Sequence, residues 1–357
     1  MNDSALKILN AAGLQQFQAL QVEAVNVVTE RFYTSHGSLY ARFGERGRAF
    51  CREDLTFHLE FLRPVLEFGL LQPMIDYLQW LNGVLLARTI PTEHLTLSLD
   101  WLADFFAEHM ETEHAFIVVA ALQTTRSGFQ AAGTEPLIPR LSKESWPEAV
   151  EFEAALLSGN KNTAHAMLSR GLKQGNSLID MELHIIQPAL YGIGEKWQAN
   201  QVTVAQEHMA TAIAQSVMSV ALQNTQPLPA LDKRILLACV EGNNHMVGLQ
   251  MVADAFLLAG WDVEFLGANV PTRALIEQVS HWRPDLIGLS VSFPQQVRVA
   301  KTVITQLIEQ FGQSRPAVIL GGLAFNRFNG LAEVVGADSF SQDSQTAVAL
   351  ANRIIKV

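Results

Sequence analysis

The sequence predicts a multi-domain chain: an all-α N-terminal domain, a four-helix-bundle cap, and a C-terminal α/β domain of flavodoxin-like (Rossmann-type) order. Three observations carry this. From 234 to 357, short apolar runs alternate five times with amphipathic stretches. From 147 to 224, apolar residues recur at helical spacing with breaks at Gly159-Asn160, Gly175-Asn176 and Asn200. Two proline-bearing stretches, 133–147 and 226–233, lack any periodicity and read as linkers. The domain boundaries that follow are 1–132, 145–225 and 234–357.

Taken in order, residues 1 to about 130 are helix-dominated, with Gly37, Gly44, Gly47, Gly69, Pro73 and Pro91 marking turns. Four helices fit the breaks of the second segment. In the third, RILLACV (234–240), DVEFLG (262–267), LIGLSVSF (286–293), AVILGG (317–322) and ADSF (337–340) have strand lengths and strand composition. Helical patterns follow near 247–260, 272–282, 295–311, 324–335 and 343–355. Strands that are each followed by a helix need crossover connections, hence a parallel sheet covered on both faces.

Composition narrows the function classes. Of 357 residues, 49% are hydrophobic and 17% charged, enough apolar content for large cores. A formal charge of -10 argues against a general nucleic-acid surface, which needs clustered cations. Two cysteines, Cys51 and Cys239, are too few for a disulfide scaffold or a zinc knuckle. The N-terminus lacks the plan of a secretion signal, and no apolar run reaches membrane-spanning length. A cytoplasmic location without membrane attachment is the expectation.

In an open parallel sheet, ligands bind past the carboxyl ends of the strands, where the winding reverses. Three loops there are unusual. EGNNHMVG (241–248) is polar and presents His245, the third run ends in Ser290-Val291-Ser292, and the fourth in Gly321-Gly322. Together they describe a deep polar slot with an imidazole at its mouth. No glycine-rich phosphate loop follows the first strand, so a nucleotide-phosphate site is improbable. No other His or Cys has ligand spacing to His245, which favours a metal-bearing organic cofactor over a bare metal.

Asn243-x-His245-x-x-Gly248, then Ser290-x-Ser292, then Gly321-Gly322, resembles the signature of cobalamin-binding domains, usually Asp-x-His-x-x-Gly, Ser-x-Leu and Gly-Gly. The resemblance implies that His245 is the lower axial ligand of cobalt and that the slot takes the displaced nucleotide tail. Asn243 stands where a carboxylate normally polarises the ligand His, and Ser292 where Leu is usual. An amide oxygen can still accept the imidazole Nδ1–H, without charge, so His245 is expected to be a weaker donor. Glu241 is a candidate to supply the missing charge.

In the cap, Trp197 is followed after nine residues by Glu207 and His208. This resembles the cap signature of the CarH-type light-responsive regulators, which hold adenosylcobalamin. The resemblance implies that Trp197 stacks on the adenosyl group, that Glu207 offers it acceptors, and that His208 orients a partner or approaches cobalt after light. Gln198 stands where those regulators have a second cobalt-binding His.

Residues 1–130 do not resemble a winged-helix module; they hold Lys7 and eight arginines, with Arg42, Arg46, Arg48 and Arg52 bunched among Phe43, Phe50, Phe57 and Phe61. Two readings stay open. One is a helical interaction domain whose arginines pair with Glu45, Glu53 and Asp54. The other is a pocket for a flat dianionic ligand. A helical domain ahead of a light-type cobalamin module is similar to the photocobilins, which implies biliverdin as a second chromophore, with Arg42, Arg46, Arg48 and Arg52 on its propionates and His58 near its pyrroles.

The expected function is a light sensor rather than an enzyme. Loss of the adenosyl group would shift the cap and alter self-association in a light-dependent homo-oligomer, or binding of a separate output protein. The rivals are a corrinoid methyl carrier serving a separate methyltransferase, and a cobalamin storage protein without switching.

Overall fold

A computed structural model describes residues 6–133, 143–327 and 335–356. The chain divides into two compact units, Met1–Ile138 and Pro139–Val357. Most of the linker expected at 133–147 lies outside the described residues.

The described part of the first unit is helical. It contains α1 (Ala11–Tyr40), α2 (Gly44–Phe68), α3 (Leu71–Leu86), α4 (Thr92–His109) and α5 (Thr112–Ala132). Asn10 caps α1 by accepting the Gly13 N–H at 2.8 Å, satisfying one of the orphan donors of a helix start. Pro91 precedes α4 and Gly69 closes α2, as turn residues should. Gly37 and Gly47 do not mark turns: both lie inside helices, with α1 kinked beside Gly37 at His36.

The second unit begins with four helical stretches: α6 (Glu148–Leu157), α7 (Lys161–Lys173), a continuous run of α8 (Leu178–Met181) and α9 (Gln187–Gln198) joined by a π-helical turn (Glu182–Ile186), and α10 (Val204–Gln223). Each break has a local cause. Asn160 caps α7 through the Thr163 N–H, Ser177 caps α8 through the Asp180 N–H, and Thr203 with Gln206 forms a reciprocal capping box on α10. Their apolar faces meet around Phe152, Leu156, Ile186, Val217 and Met218, and Met251 from the next helix joins the same core.

Five parallel strands follow: β1 (Arg234–Val240), β2 (Asp262–Val270), β3 (Leu286–Ser290), β4 (Ala317–Gly321) and β5 (Ser339–Phe340), in the order β2-β1-β3-β4-β5. The intervening helices are α11 (Val247–Leu258), α12 (Thr272–Trp282), α13 (Val297–Phe311), α14 (Leu323–Arg327) and, after β5, α15 (Ser344–Ile355). This is the doubly wound parallel sheet of the sequence reading. Strand boundaries differ: β4 ends one residue earlier than expected and β5 begins two residues later. β2 continues three residues further, and β3 ends at Ser290; the Val291 N–H still donates to the Gly321 carbonyl at 2.9 Å, but those of Ser292 and Phe293 turn to Gln296 Oε1, at 3.1 Å each. The helix expected at 324–335 begins at Leu323; its second half lies outside the described residues.

Candidate functional site

The carboxyl ends of the central strands define the site. In the parallel register, Cys239 of β1, Ser290 of β3 and Gly321 of β4 lie side by side. The loops leaving these three positions carry the sequence-predicted residues, so the fold brings Asn243, His245, Ser290, Ser292, Gly321 and Gly322 to one edge of the sheet.

Asn243 is fully buried and hydrogen-bonded on both sides. Its Nδ2 donates to the Ser290 carbonyl at 2.9 Å, and its Oδ1 accepts the backbone N–H of His245 at 3.1 Å. Because a carbonyl can only accept and an amide N–H can only donate, the amide orientation is unambiguous. In this structure Asn243 holds the backbone that carries the imidazole and makes no hydrogen bond to the ring itself. Glu241 does not supply the missing charge either, since its Oε2 accepts the Thr272 N–H at 3.3 Å at the start of α12.

The His245 imidazole meets the Phe293 ring edge to face, at 5.1 Å between centroids. Among the described residues, neither ring nitrogen has a hydrogen-bond partner. Surrounding atoms partly strip water from the ring although the residue keeps solvent-accessible surface. That crowding holds the imidazole below its ordinary pKa, only partly offset by the Glu207 carboxylate. A neutral, unpaired imidazole is the protonation state a metal ligand needs.

The glycines of these loops have two different roles. Side chains at Gly242 and Gly248 would meet no atom within 4 Å, so both border open space. Gly322 is required for the opposite reason. With φ at +99°, a Cβ there would lie 2.4 Å from the Val291 carbonyl oxygen, so the β4 turn packs directly on the loop after β3.

One residue that sequence reading missed ties these loops together. Gln296 is buried; its Nε2 donates to the Gly242 carbonyl at 2.8 Å while its Oε1 takes the two N–H groups after β3. Asn269 completes the frame. Its Oδ1 accepts the Gly242 N–H at 2.7 Å and its own N–H donates to the Asn243 carbonyl at 2.8 Å. A lone glutamine after a strand, or an asparagine at a strand's end, leaves no periodic trace in a sequence.

From the cap, Trp197 near the end of α9 is half-buried against the helical core. Glu207 in the first turn of α10 pairs with His208 Nδ1 and accepts the Thr211 hydroxyl at 3.0 Å. Its charge acts on His245, where it partly offsets the effect of burial on the imidazole.

The N-terminal candidates do not converge on one pocket. Arg42 donates to the carbonyls of Arg88 and Thr89 and stacks on Phe43. Arg48 and Arg52 both pair with Glu30, not with Glu45, Glu53 or Asp54 as the interaction-domain reading had it. Arg46 is exposed. His58 is 2% exposed; its Nδ1 faces the Asp54 carbonyl and the Tyr77 hydroxyl, and its Nε2 faces the Ser98 hydroxyl. Burial lowers its pKa to about 4, so it is a neutral core histidine.

The donor set fits a corrinoid: one imidazole without a hydrogen-bond partner among the described residues, beside glycines whose missing side chains leave open space. Comparison with known proteins agrees. Residues 233–351 match the family model of the B12 binding domain, and residues 149–222 match a second model also described as a B12 binding domain. The dimethylamine corrinoid protein of Methanosarcina barkeri is 26% identical over 210 residues, 57% of this chain and 96% of that protein. The HTH-type transcriptional repressor CarH of Myxococcus xanthus is 29% identical over 156 residues, 44% of this chain; the match spans about half of that repressor, 51%. Among solved structures, the monomethylamine corrinoid protein of Methanosarcina barkeri is similar at a TM-score of 0.49 and 18% identity, over 57% of this chain and 96% of that one. The second unit of this chain therefore carries B12-binding domains and is cobalamin-binding.

Proposed function

We propose that the chain is a light sensor that holds adenosylcobalamin between the cap and the sheet edge, with His245 as the lower axial ligand. What supports this is the Trp197-x(9)-Glu207-His208 pattern inside the stretch that matches a B12 binding domain model, directly ahead of the sheet domain whose loop carries His245. Bound adenosylcobalamin supplies a cobalt–carbon bond that visible light breaks. The chain's own residues do the rest. Asn243 and Gln296 fix the ligand loop, Gly242 and Gly248 leave room for the nucleotide tail, and Gly321-Gly322 with Ser290 and Ser292 line its path. Trp197 shelters the upper face and Glu207 offers acceptors to the adenosyl group. Trp197 and Glu207 would hold the adenosyl group, and without it the cap would be free to change self-association or the binding of an output protein.

The second reading is a corrinoid methyl carrier. It is favoured by the span of the match to the dimethylamine corrinoid protein, which is nearly that protein's whole length. Purification in darkness with adenosyl- or methylcobalamin, then absorbance and elution volume before and after white light, separates the two. The sensor prefers the adenosyl form, bleaches, and changes elution volume; Trp197→Ala loosens adenosylcobalamin about tenfold or more and spares forms without the adenosyl group. Equal affinity for all forms, with methyl turnover in darkness beside a methyltransferase, selects the carrier. In the first unit, the engaged arginines and buried His58 support an interaction role over a bilin pocket built on those residues. The expected outcome of adding biliverdin is no red-shifted bound spectrum.

A further inference from the structure

Glu182 and Asp254 are two carboxyl groups that the site chemistry leaves unused. Glu182 has no exposed surface and Asp254 keeps only 5%. Glu182 opens the π-helical turn that leads into α9, the helix of Trp197. Asp254 lies within α11, which starts two residues after His245. The pair therefore sits between the cap and the sheet, on the elements that lead to the two faces of the proposed cofactor.

Its surroundings cannot keep two charges. Met181, Ile185 and Ile186 of the cap and Met251 of α11 belong to the apolar core beside it. Both oxygens of Glu182 and Oδ2 of Asp254 have no hydrogen-bond partner among the described residues. The charges on the neighbouring elements have other partners. Glu153 of α6 pairs with Lys196 of α9, Asp180 with Ser177 and Gln345, His184 with the Glu144 carbonyl, Glu264 of β2 with Gln278, and Glu207 of α10 with His208. Glu182 and Asp254 are thus left with each other. The π turn explains how an acid came to be there. Met181, Glu182, Leu183, Ile185 and Ile186 are all buried, a wider face than an α-helical turn can bury, and π turns are frequent at functional sites.

We propose that Glu182 and Asp254 share one proton and latch the cap to the sheet, closed while the proton is held and released when it is lost to water. A buried carboxylate pair without donors costs several kcal/mol, whereas one proton removes a charge and creates the missing O–H donor. Burial raises both groups, Asp254 to about 6 and Glu182 well above its ordinary value, with the Asp254 charge adding to the latter. Near neutral pH, Glu182 is therefore the donor and Asp254 the ionised acceptor. Once hydrated in an opened cap, Glu182 returns to an ordinary acid and loses its proton. The closed form binds more protons, so opening is favoured as pH rises, about tenfold per pH unit while the two forms differ by one proton.

The latch belongs to the chain alone, so the test uses the full chain without a corrinoid, and its failure leaves the cobalamin reading untouched. Amide hydrogen exchange across 182–193, corrected for intrinsic rates, is followed from about pH 6 to about pH 8. In the parent, protection falls about tenfold per pH unit. In Glu182→Gln, whose amide N–H donates without titrating, the change stays within about twofold. A parent without pH dependence, or a variant with the parent's slope, overturns the proposal. If the variant does not fold, infrared absorbance of the parent with isotope-labelled glutamate decides: a protonated carboxylic-acid carbonyl band at neutral pH that moves with the label supports the latch, and its absence overturns it.

Discussion

The amide oxygen of Asn243 accepts the backbone N–H of His245 at 3.1 Å, while the same side chain donates to the end of β3. The loop that presents the imidazole is therefore stapled to the neighbouring strand, and the ring is left free. Position 243 acts on where His245 sits more than on how basic it is.

Asn243→Asp tests that division. The buried carboxylate would lose the donor to Ser290 and face a carbonyl oxygen, costing about 1–3 kcal/mol. A protonated Asp restores a donor, so the cost shrinks on acidification. Urea unfolding of parent and variant at about pH 5 and about pH 8 should show the larger gap at the higher pH.

Gln296→Ala removes three hydrogen bonds that join the loops after β1 and β3. The expected loss is about 2–3 kcal/mol of stability, because the freed N–H and C=O groups are left buried in part. Cobalamin should also dissociate faster, since the ligand loop is no longer held. Thermal unfolding and spectroscopic dissociation rates measure the two effects separately.

Gly322→Ala places a methyl group on the Val291 backbone at a positive φ. Backbone cannot move aside as a side-chain tip can, so destabilisation of about 2–4 kcal/mol is expected. Gly248→Ala meets open space and should change stability by about 1 kcal/mol or less, while hindering cofactor entry. Parallel denaturation midpoints distinguish them.

His58 predicts a pH signature in the first unit. Its pKa falls from 6.5 to about 4, because burial opposes the charged ring. The unfolded chain binds a proton that the folded chain refuses, so stability is lost as pH falls from about 6.5 to about 4, by about 3 kcal/mol in all. Asp54, raised from 3.8 to about 7 by burial, works in the other direction: its contribution is lost as pH rises through that range. The difference in unfolding free energy between the parent and His58→Gln isolates the histidine and should shrink on acidification.

The sheet was legible because its central strands β1, β3 and β4 are short, mostly buried and separated by amphipathic helices; Leu236, Leu289 and Leu320 announce themselves by hydrophobicity alone. Gly322 was legible because a glycine pair after a strand has few uses. The frame around His245 was not. Gln296 and Asn269 act through single side-chain bonds to backbone far along the chain, which no local pattern encodes. The partner of Asn243 was not legible for a related reason: loop geometry gives its amide oxygen to the His245 backbone N–H, which no motif specifies. Residues 181–186 read as an ordinary apolar helix, since a π turn adds one residue without changing composition.

The central claim is that His245 binds cobalt, and electron paramagnetic resonance of the cobalt(II) form in protein labelled with heavy-nitrogen histidine tests it most directly. The account predicts that each nitrogen-split line of the cobalt spectrum changes from a triplet to a doublet with the label, and that His245→Ala abolishes this response. A triplet unaffected by histidine labelling would assign the axial nitrogen to the cofactor's own base and contradict it.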